Sequence, residues 1–163
     1  MTMFKGLYAG TFDPPTLGHI EIIKRAAALF EILIVGIGEN IEKRNSILTL
    51  EERIEALKKE TASFSNIEIF SFTGLVTDFA KSQGVSTLIR GLRSEGDMEY
   101  EMQMANANHK IGNIETLFLM ARDSTSQISS SLIRELSSHG APLKDYIPSH
   151  LEEILHRRTK GTK

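Results

Sequence analysis

The 163-residue sequence contains no cysteine. That absence excludes a disulfide scaffold, a thiol nucleophile and every zinc site that uses sulfur. Net charge is also scarce: 19 basic residues face 21 acidic ones, leaving −2. A nucleic-acid binder held on by a basic face is therefore not expected. No apolar run approaches the roughly 20 residues that span a bilayer, and the opening Met1-Thr2-Met3-Phe4-Lys5-Gly6 has no apolar signal segment. These absences fit a cytoplasmic protein whose partners are neither nucleic acid nor membrane. A Walker-type loop is missing too, which argues against a P-loop kinase.

What is present reads as one ordinary globular domain, with 40% hydrophobic and 25% charged residues. Apolar runs alternate with helical patterns. Strands are expected at residues 4–9, 32–37, 67–72, 85–89 and 116–120, and helices at 19–30, 49–63, 76–83, 97–109, 128–138 and 148–158. The run 32–37 is almost purely aliphatic, as a strand buried on both faces requires. Thr49-Leu50-Glu51-Glu52 spells a capping box. Strand alternating with helix five times predicts an α/β fold: a single Rossmann-like, doubly wound domain with a five-stranded parallel sheet and helices on both faces. The domain is expected to cover residues 1–158, with 159–163 a frayed basic tail. The apolar positions Met98, Met102 and Met104 of the fourth helix fit a core face better than an interface.

Ligands of such sheets bind beyond the carboxyl ends of the strands, so the loops there carry the chemistry. After the first strand, Gly10 and Gly18 flank Thr11, Phe12 and two prolines, and His19 falls on the first helical turn, where free amides favour anions. Such a histidine either faces a phosphate or merely caps and packs. After the fifth strand, Ser129, Ser130 and Ser131 open a helix beside free amides, with Arg134 one turn on. They suit a polyphosphate, or form an ordinary N-cap. Arg90-Gly91-Leu92-Arg93 follows the fourth strand and suits bidentate phosphate contacts. The loop after the second strand carries Lys43-Arg44. Phosphate clamps at four strand ends, with no covalent nucleophile or metal-ligand cluster, suit phosphoryl or nucleotidyl transfer. An acceptor that is itself a phosphate is ionised at pH 7, so no general base is required.

Thr16-Leu17-Gly18-His19 resembles the (H/T)xGH signature, and Ile128 to Ser131 with Arg134 the ISSTxxR signature, of adenylyltransferases with a Rossmann-like fold. Tyr8-Ala9-Gly10-Thr11-Phe12-Asp13-Pro14, Thr49-Leu50-Glu51-Glu52-Arg53, Ile89-Arg90-Gly91-Leu92-Arg93 and Glu99-Tyr100-Glu101 are similar to bacterial phosphopantetheine adenylyltransferases. The Ile89 to Arg93 and Glu99 to Glu101 motifs argue against a relative acting on nicotinate mononucleotide, flavin mononucleotide or glycerol phosphate. The resemblance implies adenylyl transfer from ATP to 4′-phosphopantetheine, giving dephospho-coenzyme A and pyrophosphate, with Mg²⁺ held mainly through the ATP phosphates. It further implies a cytoplasmic homohexamer with coenzyme A as a feedback ligand.

Residue by residue, the resemblance gives His19, Lys43 and Arg90 as catalytic. It gives Thr11, Phe12, His19, Gly91, Leu92, Arg93, Glu101, Thr125, Ser126, Gln127, Ile128, Ser129, Ser130 and Ser131 as ATP-binding, and Thr11, Lys43, Val76 and Arg90 as acceptor-binding. No side chain is expected to serve as a dedicated metal ligand. Matching forward from the second strand selects Lys43, whereas matching backward from Thr49 selects Arg44. Thr125 stands where relatives often carry an aromatic residue.

Overall fold

The computed structural model describes residues 4–39 and 46–160. Strands β1 (Lys5–Gly10), β2 (Ile32–Glu39), β3 (Ile67–Thr73), β4 (Thr87–Leu92) and β5 (Glu115–Met120) form one parallel sheet in the order β3-β2-β1-β4-β5. Between and after them run α1 (Leu17–Ala27), α2 (Leu50–Thr61), α3 (Val76–Ser82), α4 (Glu95–Gly112), α5 (Ser130–Ser138) and α6 (Glu152–Lys160), the last preceded by a 3₁₀ turn at Ser149–Leu151. The chain builds β1, β2 and β3 outward in one direction, then returns to place β4 and β5 on the other side of β1. The strand order thus reverses between β1 and β4, which is where a doubly wound sheet opens a crevice.

Period-two burial explains the layers. Tyr8, Val35, Ile37 and Ile89 face α1, against Ile20, Ile23 and Ala26. Leu7, Ile34 and Leu88 face the opposite way, against Ala80, Val85 and Ile114. A third cluster, built on Leu48, Ile128, Ile133, Leu143, Ile147, Leu151 and Leu155, seats α5 and α6 under the chain entering α2. Both halves of the Thr49 capping box form: Glu52 N donates to Thr49 Oγ1 at 3.2 Å, and Thr49 N to Glu52 Oε2 at 2.8 Å. Gly84 and Gly140 end α3 and α5 in the left-handed region, at φ 66° and 71°.

Three expectations change. Strand β4 does not stop at residue 89: Arg90, Gly91 and Leu92 continue its ladder against Phe118, Leu119 and Met120 of β5. A charged residue followed by glycine reads as loop, but the Arg90 side chain finds partners at the sheet edge and the strand persists. Helix α6 runs past Arg158 through Thr159 to Lys160. The Thr159 hydroxyl donates to Ser137 O at 3.0 Å, which pins the first residue of the expected tail; residues 161–163 lie outside the described residues. Finally, Met98, Met102 and Met104 are not core: they are 45%, 51% and 39% exposed, beside exposed Tyr100 and Ile111. Only Glu101 and Gly112 of α4 are buried, and the helix packs against β4, β5 and α3 with one narrow stripe inward.

Candidate active site

Strands β1 and β4 pair at only two positions, Leu7 with Leu88 and Tyr8 with Ile89. One residue further, the Ala9 carbonyl accepts from the Arg90 side chain, Nη1, at 3.0 Å. Beyond this point two cavities open, of about 560 and 490 Å³. They share Ala9, Gly10, Thr11, Arg90 and Glu101 as a common wall. The larger lies on the α3/α4 side, the smaller between the α1 and α5 N-termini.

The loop from Gly10 to His19 is shaped by a few local bonds. Phe12 takes a left-handed conformation, φ 49°, with its side chain 1% exposed. That conformation is uncommon for a bulky residue. It turns the ring edge-on to His19 at 5.0 Å and Tyr8 at 5.6 Å. Thr16 caps α1, accepting from His19 N at 3.2 Å, and its own N–H donates to His19 Nδ1 at 3.1 Å. His19 therefore plays the part that glutamate takes in the usual capping box. With Nδ1 accepting, the ring proton resides on Nε2, and His19 lines the smaller cavity. Burial, reinforced by Arg93 and Arg90, pushes its pKa down to about 4. The imidazole is thus a neutral donor at pH 7, with one ring nitrogen engaged in the cap and the other carrying the proton.

Two residues outside the sequence expectations brace this loop. The Asp13 carboxylate, 5% exposed, accepts from Ile47 N at 3.0 Å and Leu48 N at 2.9 Å. Arg53, 6% exposed, donates to Thr11 O at 2.9 Å and Thr49 O at 3.3 Å. No short-range signal announces the bracing, since Ile47 and Leu48 stand 34 and 35 residues from Asp13, and Thr11 stands 42 from Arg53. Lys43 and Arg44 lie outside the described residues.

The arginines are pre-set. Glu101 of α4, buried, takes Arg90 Nε and Nη2 in a bidentate pair, both at 2.7 Å. This pair is the main cause that raises the Arg90 pKa above its ordinary value. Glu101 thus orients the arginine, besides lining both cavities. Arg93 is held by Asp97 Oδ2 at 3.1 Å and by Ile128 O at 3.2 Å, tying α4 to the serine turn. Arg134 approaches Asp13 Oδ2 at 3.9 Å and also lines the smaller cavity. A Cβ at Gly91 would meet Ile22 Cγ1 at 3.3 Å, so a bare backbone suits this wall.

At the α5 end, Ser129 is the N-cap, accepting from Leu132 N at 3.2 Å, and Ser130 Oγ donates to Pro14 O at 3.0 Å. The structure brings Thr11, Phe12, His19, Gly91, Arg93, Glu101, Thr125, Ile128, Ser129, Ser130 and Ser131 to the smaller cavity. It does not bring Leu92, Ser126 or Gln127 there: Leu92 is 3% exposed within the sheet, and the Ser126 hydroxyl is turned to Asp123 O at 3.2 Å. Thr125 donates to Glu21 Oε2 at 3.2 Å.

Val76, Thr11 and Arg90 line the larger cavity. Its wall includes Phe72, Gly74, Met104, Ala105 and Asn108, which the sequence reading passed over. The α4 members are recoverable afterwards, since Glu101, Met104, Ala105 and Asn108 recur at helical spacing on one face. Gly74, at φ 82°, is where the chain turns from β3 into α3 beside this cavity.

The smaller cavity gathers three arginines, a neutral histidine donor and two helix N-termini, groups that suit an anionic ligand. The larger is walled mostly by apolar groups, so a ligand lying across both would be anionic at one end and extended at the other. That division is the geometry of a nucleotidyltransferase acting on a phosphorylated acceptor, and a family model described as cytidylyltransferase-like matches residues 7–136. A phosphopantetheine adenylyltransferase of Finegoldia magna is 45% identical over 159 residues, covering 97% of this chain and 98% of that one. Another, of Deinococcus radiodurans, is 39% identical over 153 residues, covering 93% and 92%. The chain belongs to the phosphopantetheine adenylyltransferase family. A solved Vibrio parahaemolyticus structure, assigned as a nicotinate-nucleotide adenylyltransferase, superposes with TM-score 0.67 at 15% identity, over 97% of this chain and 94% of that one. At that identity it attests the fold alone.

Proposed function

We propose that the protein transfers the adenylyl group of ATP to 4′-phosphopantetheine, releasing pyrophosphate and dephospho-coenzyme A, in the cytoplasmic synthesis of coenzyme A. The observation that carries this reading is the shared wall. An anion cavity and an apolar cavity meet at Thr11 and Arg90. ATP occupies the smaller, the pantetheine arm the larger, and the acceptor phosphate lies where they join.

An oxygen of the acceptor phosphate attacks the α-phosphorus of ATP, and the bond from that phosphorus to the bridging oxygen breaks. Pyrophosphate leaves with the bonding pair, and no covalent enzyme intermediate is needed. Arg90, fixed by Glu101, holds the acceptor, and His19 Nε2 donates to the charge that grows on the α-phosphoryl oxygens. Lys43 is proposed as a further cation on the acceptor side. Arg93, Arg134 and the serine turn hold the leaving pyrophosphate, where the α5 N-terminus adds its amides. Catalysis here is positioning and charge stabilisation.

The anion cavity is lined by serines, threonines, three arginines and a histidine, and its two carboxylates, Glu101 and Asp97, are already paired with Arg90 and Arg93. Among the described residues no group of three or more His, Cys, Asp or Glu side chains gathers as a metal cage. Such a set fits Mg²⁺ carried on ATP phosphates, where it would offset their charge. The exposed Met98 and Met102, one turn apart on α4, support assembly, which we propose to be a homohexamer. Coenzyme A shares the pantetheine arm and is proposed as a feedback ligand competing at the larger cavity. No helix among the described residues is long and apolar enough to cross a membrane.

The test is pyrophosphate release from Mg-ATP with a panel of acceptors: 4′-phosphopantetheine, nicotinate mononucleotide, flavin mononucleotide and glycerol phosphate. Release only with 4′-phosphopantetheine, with dephospho-coenzyme A identified by mass, is the expected result. Release only with another acceptor would overturn the substrate assignment.

A further inference from the structure

Tyr8 stands on β1 directly before the shared wall and lines the anion cavity. It is 6% exposed, yet its hydroxyl makes no hydrogen bond to any described residue. It is also not among the polar atoms sealed away from the cavities without a partner, which are Thr77 Oγ1, Thr116 Oγ1 and His150 Nε2. The small part of Tyr8 that reaches open space therefore includes the hydroxyl, and the ring behind it packs edge-on to Phe12 and tilts over His19 at 6.5 Å. Arg90 and Arg93 both act on this phenol electrostatically.

A hydroxyl immersed in a hydrophobic cluster ordinarily finds a partner within the protein, because leaving it unpaired costs about 1–3 kcal/mol. Among the described residues this hydroxyl has no partner, and the anion cavity is the open space that Tyr8 lines. Burial pushes the phenol pKa up to about 12, against the lowering pull of the two arginines, so the group keeps its proton through the physiological range. It can therefore donate but cannot act as a base.

We propose that the Tyr8 hydroxyl is a second neutral donor to the transferring phosphoryl group, beside His19 Nε2. The proposal rests on the adenylyl-transfer reading given above. It differs from the arginine contacts in kind: two neutral donors add no charge to the cavity and stabilise the phosphoryl oxygens where charge grows. Because Tyr8 and His19 come from β1 and α1, joined by the loop that ends the strand, one segment would fix both donors.

The experiment is Tyr8→Phe, which removes one oxygen and leaves the ring packing intact. Wild-type enzyme with Mg-ATP and 4′-phosphopantetheine is measured first, so that an inert wild type indicts the reaction assignment and not Tyr8. With an active wild type, kcat is expected to fall by about 10- to 100-fold, near the loss of one oxyanion donor. The KM for ATP should move less than about three-fold, and the thermal unfolding midpoint should stay within about 2 °C, since no protein bond is lost. A kcat within about two-fold of wild type would overturn the proposal. So would a raised KM for ATP with kcat unchanged, which would place the hydroxyl on a part of the nucleotide that does not react.

Discussion

His19 provides the sharpest physical handle, because its cap and its charge state are set by the same ring. In the folded protein its pKa lies near 4, against 6.5 for an exposed histidine. Between those two values the unfolded chain binds a proton that the folded protein refuses, so stability falls as pH drops from 6.5 toward 4. At about 1.36 kcal/mol per unit, the full window is worth about 3 kcal/mol. The ring borders an open cavity, and screening there reduces this to about 2 kcal/mol. Acidic side chains titrate over the same range, so the comparison must isolate the ring. His19→Gln does so: glutamine can still accept from Thr16 N and keep the capping box, but it does not titrate. Urea unfolding at pH 7 and pH 4.5 should show wild type losing about 2 kcal/mol more than His19→Gln on acidification. Equal losses, or a His19 ring titration by NMR centred near 6.5, would refute the neutral-donor reasoning. Binding of ATP should raise that midpoint, because its phosphates oppose the Arg93 and Arg90 charges that help depress it.

Glu101→Gln weakens the bidentate hold on Arg90. We expect the KM for 4′-phosphopantetheine to rise about ten-fold, more than the KM for ATP, with about 1–3 kcal/mol lost in urea unfolding; unchanged steady-state constants would contradict the positioning role. Ser129→Ala removes the α5 N-cap and should cost about 1 kcal/mol of stability. It should also weaken ATP more than the acceptor, read by isothermal titration with each ligand. Met98→Glu combined with Met102→Glu places two charges on the exposed face of α4 and should shift the sedimentation profile toward smaller species, while the isolated subunit keeps its far-ultraviolet circular dichroism.

The alternation of aliphatic strand and amphipathic helix made the doubly wound sheet legible, since residues such as Leu33, Ile34, Val35 and Ile37 have no other home than a two-faced core. The Thr49 box was legible as well, because it answers a local backbone demand. The β4 boundary was not, because an arginine inside a strand is stable only through Glu101 and the Ala9 carbonyl, partners that lie outside its sequence window. Asp13 and Arg53 escaped for the same cause, since the bonds by which they brace the Gly10–His19 loop reach more than 30 residues along the chain. The methionines of α4 misled because a methionine stripe at helical spacing looks alike whether its own chain or another surface covers it. His19 was legible as a position, but its charge state followed only from the burial and the two arginines that the fold brings around it.

The central claim is direct transfer between two ligands that meet at Thr11 and Arg90, with no enzyme-bound adenylyl group between them. It is tested by running the reaction with ATP made chiral at the α-phosphorus by sulfur substitution and reading the configuration of the dephospho-coenzyme A analogue. A single in-line displacement predicts inversion. Retention would require two displacements through a covalent intermediate, and it would contradict the account.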